Sequence, residues 1–107
     1  MPNTYKNAKV DLTTTNATTV LTTPVGSTNI IKSILASEDS GNADTITLTI
    51  TDTASAVFSL FKVKAVGANT TVELLTQPLV LQDSEVLKAT AATANRLHLV
   101  VSYLEIS

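Results

Sequence analysis

Thr45-Ile46-Thr47-Leu48-Thr49-Ile50-Thr51 decides the fold. Apolar and polar side chains alternate here without a break. In an extended chain successive side chains point to opposite faces. Ile46, Leu48 and Ile50 therefore enter a core, while the threonines look toward water or a partner. A helix would scatter both sets around its axis.

Outward from this stretch, strand-like runs recur at short intervals between turn signals, as in a sandwich or barrel. Upstream they cover residues 5–12, 18–23 and 29–37. Pro24-Val25-Gly26-Ser27 ends the second of these, and the polar residues 38–44 close the third. Downstream come Val57–Val66, residues 70–75, 79–81 and 85–89, and the last run at 96–106. Residues 84–89 have an acidic start and several helix formers, which offers a helical alternative. Thr90, Thr93 and the lack of a sustained 3.6 period weigh against it. The sequence thus predicts an all-β fold, an antiparallel β-sandwich of about eight strands, a number that a jelly roll fits. Residues 1–12 read as an N-terminal segment with the first strand, and residues 13–107 as one sandwich domain.

Composition agrees. The chain has 107 residues, enough for one domain, and 19 of them are threonine. β-branched side chains lose rotamer freedom in helices and pack well on a pleated surface. A net charge of −2 and only seven Lys and Arg, spread from Lys6 to Arg96, argue against a nucleic-acid binder. Tyr5, Phe58, Phe61 and Tyr103 form no interleaved stacking platform, and Trp is absent. Without cysteine there is no disulfide framework and no thiolate metal site. The N-terminus has no apolar run after a basic start, and no apolar stretch reaches membrane-spanning length. The expectation is a product made in a cytoplasm and soluble there.

The residues offer little chemistry. His98, the single histidine, stands between Leu97 and Leu99, a setting for a packed or rim residue rather than a general base. With no second histidine and no cysteine, a transition-metal site cannot assemble, and no cofactor is expected. Glu38, Asp39, Asn42 and Asp44 surround Gly41 and carry the oxygen donors that calcium needs. Their spacing departs from the calcium-loop motif, so a solvated turn is the preferred reading. Gly26, Gly41 and Gly67 sit in separate turns and make no phosphate cradle. Lys62 and Lys64 share one strand face, read here as a solvated outer face or protection against edge pairing. A catalytic site is not predicted.

Two strands are apolar on both sides, whereas a sandwich strand needs only one apolar face. Residues 96–106 place Leu97, Leu99, Val101 and Tyr103 on one face, and Val100, Leu104 and Ile106 on the other. Residues 57–63 set Val57, Phe61 and Val63 against Phe58 and Leu60. The surplus calls for a cover, from another part of the chain or from a neighbouring subunit. Val57, Phe58, Leu60, Val100, Leu104 and Ile106 are accordingly the candidate contacts with a partner or a second copy.

Residues 22–35, Thr-Thr-Pro-Val-Gly-Ser-Thr-Asn-Ile-Ile-Lys-Ser-Ile-Leu, resemble an opening common in small virion proteins of tailed phages. There a strand ends in a Pro-x-Gly turn and an apolar strand with a central lysine follows. Residues 95–106, Asn-Arg-Leu-His-Leu-Val-Val-Ser-Tyr-Leu-Glu-Ile, are similar to the closing strand of the same proteins. The resemblance implies a non-enzymatic virion component, foremost a capsid decoration (cement) protein on the capsid exterior. The implied partner is the major capsid protein, and the implied assembly is a homotrimer. A neck, tail or fibre-associated role, or a receptor- or carbohydrate-binding module, is the alternative. The short segment before Thr13 argues against a long arm embracing neighbouring capsomers.

Overall fold

A computed structural model describes residues 3–107. Nine strands succeed one another: β1 (Asn3–Leu12), β2 (Thr18–Thr22), β3 (Thr28–Glu38), β4 (Asp44–Thr51), β5 (Val57–Val66), β6 (Thr71–Glu73), β7 (Leu79–Leu81), β8 (Val86–Ala91) and β9 (Leu97–Ile106). All strand pairs are antiparallel. One sheet runs β1-β9-β3-β6, with β7 also on β3, and the other runs β2-β8-β4-β5. No helix occurs among the described residues. The antiparallel β-sandwich expected from the sequence is the fold. The nine strands fall on the nine strand-like runs of the sequence and agree with a count of about eight; β6 and β7, three residues each, share one edge of β3.

The inner faces interdigitate as period two requires. Leu12, Ile31, Ile34, Leu97, Leu99 and Val101 of the first sheet meet Ile46, Leu48, Leu87 and Ala89 of the second, all buried. Ile50, expected beside Ile46 and Leu48, is only half-buried, packing on the core where β4 pairs with exposed Phe58. The helical alternative at residues 84–89 gives way to β8. Leu87, Ala89 and Ala91 are buried in alternation and pair with Ile50, Leu48 and Ile46. Two-residue periodicity with partners on both sides outweighs the weak helix propensity of this segment.

β5 departs from the alternation read in the sequence. Its pairing with β4 shifts register between Ile46 and Leu48 and again between Leu48 and Thr49. Val63 has φ 55°, a region that β-branched residues avoid, and its N–H donates to Thr47 Oγ1 at 3.1 Å. Such irregularities re-aim side chains along the strand. Consecutive Leu60 and Phe61 both pack against the core, while Val57, Phe58 and Val63 stand exposed. The two opposed faces predicted for residues 57–63 therefore do not exist as such.

The turn at Pro24-Val25-Gly26-Ser27 is closed by the Ser27 N–H donating to the Pro24 carbonyl at 3.1 Å. Gly26 takes φ 83°, as the third residue of a type II turn requires. Its N–H donates to Asp83 Oδ2 at 2.8 Å, tying this turn to the one between β7 and β8.

Candidate interaction surface

Antiparallel partners share a sheet face, so strand register lays out the outer surface of the first sheet as transverse rows. Tyr5, Leu104, Ile30 and Val80 form one row across β1, β9, β3 and β7. Asn7, Ser102 and Ser33 form the next, offset by the register shift between Ile31 and Ser33. Lys9, Val100, Leu35 and Glu73 follow across β1, β9, β3 and β6. The last row is Asp11, His98, Ser37 and Thr71. The first row is apolar, the Asn7 and Asp11 rows are polar, and the Lys9 row sets Val100 and Leu35 between two charges. Tyr5 is 76% exposed and Val80 50%, so the apolar row is open to solvent. Beside it, Tyr5, Asn7, Ser102 and Lys32 help to line a shallow cleft of about 370 Å³.

His98 is half exposed and lies between two carboxylates. Its Nε2 is 3.3 Å from Asp11 Oδ1, and its Nδ1 is 3.6 Å from Asp39 Oδ2. It thereby links β1, β9 and the loop after β3. Glu73 on the same face takes the Ser33 hydroxyl, the Ile34 amide at 2.8 Å and the Leu75 amide at 3.2 Å. Partial burial pushes its pKa up, but these donors, led by Ser33, outweigh it and hold the carboxyl below its ordinary value.

The acidic loop at residues 38–44 is built from the inside. Glu38 is buried and accepts the Ser40 hydroxyl and the amides of Ser40 at 2.8 Å, Gly41 at 3.1 Å and Asn69 at 3.1 Å. Burial opposes its charge. The Ser40 hydroxyl and the Asn69, Ser40 and Gly41 amides prevail and lower its pKa to about 2. Asp44, also buried, takes the Thr93 amide at 3.1 Å, and Asp39 turns to His98. The loop carboxylates thus go to three separate partners. No cluster of His, Cys, Asp and Glu suited to a metal ion occurs among the described residues.

The six candidate contacts fall on two sheets. Val100, Leu104 and Ile106 lie on the outer face of β9, each partly exposed. Val57 and Phe58, 62% and 56% exposed, lie on edge strand β5 of the other sheet. Leu60 is turned partly onto the core. Two separate patches result. The sequence reading missed Tyr5, Ile30 and Val80 beside Leu104. Alternation within β1 and β3 carried part of that signal, but the row exists only through pairing with β9.

No protein-family model and no curated protein matches the chain. Among solved structures, a chain of the cyanophage Pam1 capsid asymmetric unit is similar to it at a TM-score of 0.43 and 19% identity. The alignment covers 96% of this chain and 84% of that one.

Proposed function

We propose that the protein is a non-enzymatic structural component of a tailed-phage virion, acting as a decoration or cement protein on the capsid exterior. The observation that carries this reading is the pair of uncovered apolar patches on opposite sheets, the Tyr5–Leu104–Ile30–Val80 row and the Val57–Phe58 edge. A small rigid sandwich with two such patches can bridge two neighbours. Large exposed apolar patches mark interaction sites. The strand orders β1-β9-β3-β6 and β2-β8-β4-β5 support a jelly roll, an architecture found in viral capsid and lectin domains. The sequence resemblance supports the phage assignment. Made in the host cytoplasm, the protein would join the shell late, with the major capsid protein as its partner and a homotrimer as its own assembly.

The physical logic is linkage. A ligand that binds only the assembled shell shifts the equilibrium toward that shell. Copies bridging adjacent subunits gain from effective concentration, so each contact can be modest. The test mixes purified protein with particles lacking it, then measures occupancy and thermal release of the genome. Stable binding with a raised release temperature is expected. Failure to bind, with co-purification on tails or a glycan instead, overturns the decoration role.

A further inference from the structure

The nine carboxylates and the seven lysine and arginine side chains are used very differently. Glu38, Asp44, Asp52, Glu73, Asp83 and Glu85 accept backbone amides in loops and turns. Asp11 and Asp39 lie against His98, and Glu105 pairs with Lys6 at 2.8 Å. Seven acids are thus committed within the chain, whereas Asp11 and Asp39, 60% and 67% exposed, have only the shared imidazole of His98 beside them. Arg96 donates to the Ala43 carbonyl, whereas Lys9, Lys32, Lys62, Lys64 and Lys88 have no ion pair among the described residues. A net charge of −2 thus hides a surface whose uncommitted charges are mostly positive.

Two of the free lysines, Lys9 and Lys32, are exposed on the outer face of the first sheet. Lys9 shares a row with Val100 and Leu35, and Lys32 lines the cleft beside Tyr5 and Ser102. From this arrangement we infer that the face docks a carboxylate-bearing surface of a different protein. Leu104, Ile30, Tyr5 and Val80 pack against that partner's apolar residues, and Lys9 and Lys32 meet its Asp or Glu side chains. A second copy is a poorer occupant, because it brings five more unpaired lysines against two exposed acids, Asp11 and Asp39, that already flank its own His98. Nucleic acid is a poor one too, since two cations flanking an apolar row make little of a phosphate track. The alternative edge, β5, is interrupted by its register shifts and by the turn in the backbone at Val63. The inference rests on the virion reading for the identity of the partner, but not for its chemistry.

Two experiments separate the two claims. Carbodiimide joins a lysine amine to a carboxylate only where they touch. In purified particles carrying the protein, it is expected to link Lys9 and Lys32 to acidic residues of another chain, as read by mass spectrometry. Cross-links confined to Lys62, Lys64 or Lys88, or to copies of the same chain, overturn the inference. Replacing both lysines (K9Q/K32Q) should weaken occupancy about 2- to 30-fold, the range for two exposed ion pairs. If the protein is absent from particles, the virion reading fails, and the docking chemistry is still testable on carboxymethyl resin at low salt. K62Q/K64Q and K9Q/K32Q lose the same charge, so near pH 7 K9Q/K32Q should elute ahead of K62Q/K64Q. Equal elution of the two variants overturns the assignment.

Discussion

Leu48→Ala puts the core assignment to its sharpest test. Leu48 is wholly buried at the middle of β4, between Phe61 of β5 and Ala89 of β8. Ala89 is too small to fill the space a truncated neighbour leaves, and the flanking strands are fixed by pairing on both sides. A buried Leu→Ala change costs about 2–5 kcal/mol, and poor relaxation favours the upper half. Unfolding entropy for a chain of 107 residues is about 0.2 kcal/mol per degree. The melting temperature should therefore fall by roughly 10–20 °C, followed by circular dichroism or calorimetry. Thr49→Ala, one residue on and facing outward, provides the control and should change stability by no more than about 0.5 kcal/mol. Equal melting of Leu48→Ala and the parent would refute the inward assignment of β4 and the sandwich register built on it.

Gly26→Ala meets no atom within 4 Å, so its cost is that of a left-handed backbone alone, about 1–2 kcal/mol, measurable by urea unfolding. Acid should destabilise the fold. The Glu38 carboxyl drops from an ordinary 4.5 to about 2 on folding, and Glu73 and Asp83 also shift down. The stability they confer is complete above about pH 5 and fades as pH falls toward 2. A melting temperature measured across that window should decline, and Glu38→Gln should flatten part of the slope. Leu104→Asp should leave a folded protein, because Leu104 faces outward. The variant should occupy particles more weakly than the parent while light scattering after gel filtration shows an unchanged oligomeric state; an unfolded product would contradict its outward placement.

Much of the fold was legible because β4, β8 and β9 obey strict alternation. Leu97, Leu99, Val101 and Tyr103 face inward as their spacing requires. β5 was not legible, because bulges and the positive φ at Val63 break the period on which the reading depends. The candidate contacts were legible only as an excess of apolar side chains. Which of them share a surface depends on register: Leu104 joins Ile30 and Tyr5 through pairing, while Val57 and Phe58 lie on the other sheet. The charge asymmetry was invisible in the same way, because composition counts carboxylates without showing that loop amides occupy them.

The position of β9 also bears on how the chain reaches its fold. β9, last in chain order, pairs along its whole length between β1, which is first, and β3. During synthesis β1 and β3 emerge with unsatisfied backbone edges facing a gap that only residues 97–106 fill. Contacts of such sequence separation form slowly, on the millisecond-to-second scale typical of sandwiches. Until then both edges are open to pairing with other nascent chains. Translation pauses, chaperone access and expression temperature should therefore govern the yield of native protein more than its final stability does.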